Sequence, residues 1–141
     1  MATRSRIGIE HPSGVIESIY CHWDGYLDHN GQTLNDHYQD RDKVEKLIAL
    51  GDISSLQKNV VPEGEHSWQY PDGETTVAYH RDRGEEFCPG RIDPSLEAFF
   101  LSDFETQGYI FTQKGEWLWQ SSGMSSYMNL KRALDSRKEY V

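Results

Sequence analysis

Cysteine is scarce in this chain. There are two in 141 residues, Cys21 and Cys88, without the spacing of a disulfide framework or a CxxC pair. Both are expected as reduced thiols in a cytoplasmic protein. Long apolar runs are missing too. "LIAL" and "AFFL" are the best candidates, far short of the roughly 20 residues that cross a bilayer, so no membrane association is expected. No apolar segment follows the basic residues of "MATRSRIGIE", and no secretory signal is expected. There is no GxGxxG, P-loop or HExxH, which leaves a nucleotide fold and a zinc hydrolase without support. Positive charge is also in short supply, with 14 Lys and Arg against 23 Asp and Glu.

Rings are what the chain has instead. Only 36% of residues are hydrophobic, but 12% are aromatic, with four Trp and eight Tyr. The core should rest on rings whose polar atoms each need a partner or a wet edge. A mean hydropathy of -0.75 is low, yet periodic apolar segments argue for a small core under a polar surface. The charge of -9 is uneven. Between Val61 and Thr106, eleven carboxylates face only Arg81, Arg83 and Arg91, which leaves -8 there and -1 elsewhere. Such a segment repels phosphate backbones and attracts basic surfaces.

The pattern predicts one α+β domain over residues 1–141, mainly an antiparallel β-sheet with helices packed on one face. "RIGIE" and "VIESIYCHW" alternate on either side of "HPSG" and read as a hairpin. In the second strand Val15, Glu17, Ile19, Cys21 and Trp23 share one face, and Ile16, Ser18, Tyr20 and His22 the other. Asp24-Gly25 then turns the chain. Thr33 is a candidate cap for a short helix in "TLNDHY". Asp40 is the expected N-cap of a stronger one, with Val44, Leu47 and Ile48 inward and Gly51 at its C-terminal end. "ISSL" reads as a turn, and 57–74 as a long loop with a short strand near Trp68. "TTVAYH" reads as a strand, followed by a loop and a helix with Pro94 in its first turn. "GYIFTQKGEWLWQ" reads as a hairpin around Lys114-Gly115, and the C-terminal helix as anchored by Leu130 and Leu134.

Three groups of residues bear on chemistry. "SIYCHWDGYLDH" supplies Cys21, His22, Asp24 and His29, with His37, His80 and Cys88 further on. Adjacent Cys21 and His22 on a strand point to opposite faces, however, and the spacing is irregular, so neither a metal nor a cofactor is expected. "AYHRDRGEE" places His80, Asp82 and Glu85 where a general acid, base or magnesium ligand would sit. Arg4, Arg6 and Arg83 are candidates for gripping an anion. The competing account of that loop is surface charge pairing. Lys131, Arg132, Arg137 and Lys138 are too few, and too offset by Asp135 and Glu139, for direct nucleic-acid binding to be expected.

Taken together, "TRSRIG", "YCHWDGY", "LIALGDISSL" and "AYHRDRGE" resemble a group of short proteins carried by bacteriophages, prophages and related mobile elements. The resemblance covers roughly the first two thirds of the chain. It implies a setting inside a bacterial host and transfers no catalytic residue. In that setting the acidic segment implies an inhibitor or modulator of anti-defence type. Its target would be a host protein or ribonucleoprotein with a basic surface, such as a CRISPR effector. The contacts expected are Glu63, Glu65, Asp72, Glu74, Glu85 and Glu86, with Trp68 or Tyr70 as exposed aromatic anchors. The alternatives are a small hydrolase or nucleotide-binding enzyme using His80, Asp82 and Glu85, and a homodimer joined through the aromatic hairpin at 109–119.

Overall fold

The structure, a computed structural model, describes residues 3–139, with side chains to residue 136. Alternating β-branched and polar residues build the first two strands, β1 (Ser5–Glu10) and β2 (Ile16–Trp23). They pair antiparallel with Ile7 opposite Ile19 and Ser5 opposite Cys21. A π-helical turn (Leu27–Gly31) runs directly into α1 (Gln32–His37), followed by α2 (Arg41–Ala49) and β3 (Ile53–Ser55). After a long loop come β4 (Val77–Ala78), α3 (Tyr79–Arg83), β5 (Arg91–Asp93) and α4 (Leu96–Leu101). The hairpin β6 (Gln107–Phe111) and β7 (Trp117–Ser121), then β8 (Met128–Asn129) and α5 (Leu130–Glu139), complete the order.

One sheet in the order β4-β3-β2-β1-β6-β7-β8 gathers the strands, with β5 also on β2. This is the α+β domain expected, and the described pairings are mainly antiparallel. Two are parallel: β1 with β6, and β2 with β3. The sheet is therefore mixed, because β6 enters beside β1 after everything between residues 24 and 106 has crossed over.

Ile7, Ile9, Ile19, Cys21, Tyr109 and Phe111 form one face of the sheet. The π-turn, α1, α2 and α5 cover it through Leu27, Leu34, Val44, Leu47, Leu130 and Leu134. The other face is not bare, as a one-sided layer of helices would leave it. Short α4 packs Phe99 and Phe100, with Phe104 beyond it, on Ile16 and Ile110. The reason is local. Ile16 lies on the opposite side of β2 from Ile19, and Ile110 opposite Phe111 on β6.

The buried tyrosine and tryptophan rings of the core have their polar atoms satisfied. Tyr38 Oη donates to the Gln57 carbonyl at 2.6 Å, Tyr109 Oη to that of Gly25 at 2.7 Å, and Trp117 Nε1 to that of Tyr38 at 2.8 Å. Burial pushes the Tyr38 phenol up to about 12. Tyr109, Phe111 and Trp117, weighed above as a contact surface between copies, lie buried in this chain's own core.

Several local expectations change. α2 forms as read: Asp40 accepts from Asp42 N–H at 3.2 Å, and Gly51 is left-handed at φ 74°. Thr33 is not a cap, because the π-turn already supplies helical backbone ahead of it. "ISSL" is a strand rather than a turn, since the outer edge of β2 offers it backbone partners. Most of "TTVAYH" is not strand; the extended part is Val77–Ala78 and Tyr79 opens α3. No strand forms at Trp68. Pro94 precedes the helix, and Ser95 is the cap, accepting from Ala98 N–H at 3.1 Å. Trp23 shares its face of β2 with Ile19 and Cys21, but it does not meet the expectation that it fills the core with Cys21. It ends β2, is 41% exposed and meets the edge of His22 at 4.8 Å. Among the described residues no helix is long and apolar enough to cross a membrane.

Candidate functional site

The acidic segment is a braced loop. Asn59 and Thr75 form an isolated parallel bridge, with Asn59 N–H donating to Glu74 O at 3.0 Å and Thr76 N–H to Asn59 O at 2.8 Å. The two ends of 59–75 are thereby held side by side, as in a compact Ω-type loop. Asp72 shapes the returning limb. It accepts from Glu74 N–H, Thr75 N–H and Thr75 Oγ1, each at 2.8 Å. These bonds, the Glu74 N–H first, hold its carboxyl below the usual range.

Behind the loop stands α3. Arg81 donates to the Val60 carbonyl at 2.5 Å and the Thr76 carbonyl at 2.7 Å, gripping both limbs. The Arg81 guanidinium also makes two 3.0 Å bonds to Asp82. Asp82 is 6% exposed and accepts from Ala78 N–H at 2.7 Å. Burial by itself would raise the Asp82 carboxyl. The bonds from Arg81 and Ala78 and the nearby His66 outweigh it, and the carboxyl lies below its ordinary value. The His66 side chain is fully buried between the two carboxylates, Nδ1 3.7 Å from Asp72 and Nε2 3.5 Å from Asp82. Asp72 N–H donates to His66 Nδ1 at 3.3 Å, while Nε2 has no hydrogen-bond partner.

This brace sorts the residues expected to contact a partner. Glu63, Glu65, Glu74, Glu85 and Glu86 are exposed, and Tyr70 is 80% exposed. Glu74 lies 3.3 Å from Lys58, and Glu85 3.4 Å from Arg83. Trp68 is not the exposed anchor expected. Its ring packs on Tyr79 at 5.8 Å and carries the Arg83 guanidinium at 4.6 Å. Asp72 is spent on its own turn.

The residues considered for catalysis occupy different settings. Asp82 faces inward, held by Arg81. His80 is exposed, with Nδ1 2.8 Å from the Glu85 carbonyl and its ring against Phe87 at 5.4 Å. Glu85 contributes its carbonyl to His80 and its carboxylate to Arg83. The anion candidates are likewise separated. Arg6 Nε donates to Ser18 Oγ at 3.0 Å, and its Nη2 to the Ser18 carbonyl at 2.8 Å. Burial, then the neighbouring Arg91, depress its pKa. Arg83 lies on Trp68, and Arg4 precedes β1.

In the opening motif, Cys21 faces the buried core, where burial pushes its thiol up to about 11. His22 is on the other side with Nδ1 2.8 Å from Tyr20 Oη, and His29 Nδ1 lies 2.9 Å from Asn30 Oδ1. Among the described residues no three His, Cys, Asp or Glu side chains are grouped to hold a metal ion. The side chains of Arg137 and Lys138, noted in the C-terminal helix, lie outside those described.

One polar cluster escaped the sequence. The outer edge of β2 is shared by β5 along Ile16–Ser18 and β3 along Cys21–Trp23. Between them Tyr20 N–H has no strand partner and donates to Asp52 Oδ1 at 3.0 Å. Asp52 also bonds the Cys88 thiol, and that bond and its charge raise the Cys88 pKa. The "GD" after α2 hinted at a helix end, but nothing local signalled that Asp52 mends a split edge. No family model, curated protein or solved structure matches the chain.

Proposed function

We propose that this chain is a protein-binding module whose acidic loop occupies a basic surface of its partner. The carrying observation is the braced loop. Glu63, Glu65 and Glu74 lie exposed on a backbone frame that Arg81 and Asp82 clamp from behind, with Tyr70, 80% exposed, on the same loop, and Glu85 and Glu86 are exposed just after α3. Carboxylates arranged in advance lose less freedom on binding, and they attract Lys and Arg that would otherwise hold phosphates. In the setting implied by the resemblance to phage and prophage proteins, the partner is a host nucleic-acid-handling complex. An anti-CRISPR or other anti-defence role follows from that setting.

Affinity capture from nuclease-treated host lysate, compared with the variant E63K/E65K/E85K/E86K, tests the reading. A partner retained at low salt should be released at high salt and lost by the variant. Retention of the same partner by the variant at equal affinity would remove the acidic-surface mechanism. All four positions are exposed, so the variant should keep the native unfolding temperature to within a few degrees.

A further inference from the structure

We propose that the surface between α4 and β7 is a second binding site, one that takes a short cationic amphipathic segment of a partner protein. It lies towards the β7–β8 end of the sheet, while the acidic loop follows β3 and returns to β4 at the other end. The proposal therefore does not rest on the loop.

Two adjoining depressions meet at Tyr127. The larger, about 520 Å³, has Leu96, Leu118 and Tyr127 as apolar lining, with Glu10, Glu116 and Lys114 among its polar lining. The smaller, about 330 Å³, is lined by Phe100, Leu101 and Tyr127, with Glu97 on α4. Tyr127 stacks on Phe100 at 4.9 Å with 30° between the rings, which fixes the ridge dividing the two. Leu101 is 81% exposed and Tyr127 43%, so apolar surface that the second core cluster leaves uncovered continues into the depressions.

The charge identifies the occupant. Glu10, Glu97 and Glu116 against Lys114 make the lining net negative. Glu10 is already oriented, since its Oε1 accepts from Gln113 N–H at 3.0 Å. A segment that places apolar side chains on either side of Tyr127 and Lys or Arg toward these carboxylates satisfies both features. An acidic or uncharged segment satisfies only the apolar one.

The test uses the full chain and a labelled synthetic peptide with Leu at helical spacing and Lys elsewhere. A second peptide has Glu in place of every Lys. Fluorescence anisotropy at physiological salt should give saturable binding of the Lys peptide and none of the Glu peptide. Amide shifts should cluster at Leu96, Leu101, Leu118 and Tyr127. L101E, an exposed change, should weaken binding at least about tenfold, and E97K/E116K by a similar factor. E63K/E65K/E85K/E86K should leave it within about twofold, since screening confines charges to about 8 Å at this salt.

Equal binding of both peptides, no binding, or binding lost only in the loop variant would each overturn the proposal. So would concentration-dependent dimerisation abolished by L101E, which would assign the surface to a second copy of this chain.

Discussion

Asp82 is the residue on which the loop's geometry depends, and its chemistry sets a direction for acid. Its carboxyl is depressed in the folded chain, so the stability it contributes is fully present above the unfolded value of about 4. That contribution is lost as pH falls through the lower folded value. Hydrogen exchange should show Asn59 and Thr76 amides losing protection in this acid range while β1, β2 and β6 stay protected. D82N should cost about 1–3 kcal/mol in urea unfolding, because it leaves the partly exposed Arg81 guanidinium with a neutral partner. It should also flatten the acid response of the loop.

The cysteines give a second residue-scale expectation. Cys21 is fully buried and Cys88 exposed, so iodoacetamide should add once to the native chain and twice in denaturant. D52N should speed the first addition, because Asp52 charge and hydrogen bonding hold the Cys88 thiol protonated while Asn still accepts from Tyr20 N–H.

Among the elements, α2 was legible from sequence and α3 was not. Everything that builds α2 is local: the Asp40 cap, apolar positions at helical spacing and a left-handed glycine. Gly51 is needed twice over. Its φ is 74°, and a Cβ there would collide with the Cys88 carbonyl. G51A should therefore cost more than the about 1–2 kcal/mol of a left-handed alanine, measured by thermal unfolding. The sequence pattern reads Tyr79 and His80 as the end of a strand and Arg81–Arg83 as loop, but the segment forms a helical turn. In it Asp82 accepts from Ala78 N–H and Arg81 donates to both loop limbs, all contacts with residues outside the segment. The acidic loop shows the same division. Its composition announced charge, while the inward position of Trp68 and the commitment of Asp72 follow from contacts with α3 and from the returning limb.

At the scale of the molecule, the parallel pairing of β1 with β6 closes the fold, joining residues about a hundred positions apart. Gly8 marks how close that arrangement is: a Cβ would lie 2.8 Å from the Glu17 carbonyl and 2.9 Å from Ile110. A fragment ending before β6 would leave one edge of β1 unpaired and remove Tyr109 and Phe111 from the core. Residues 1–104 alone should show no cooperative unfolding by circular dichroism, whereas the full chain should. Non-local pairing of this kind also predicts folding in milliseconds to seconds rather than microseconds, which stopped-flow fluorescence of the tryptophans would report.

By itself the sequence determined the α+β class, the β1–β2 and β6–β7 hairpins, α2, the anchors of α5 and the concentration of negative charge. Each of these is written in residues within a few positions of one another, through alternation, helical spacing, caps and turns. Only the tertiary structure decided that both sheet faces are covered, that β2 shares its edge between two short strands, and that Asp52 and Asp82 are braces. Those outcomes depend on which backbone groups remain unpaired once distant segments meet, and a local pattern carries no record of that.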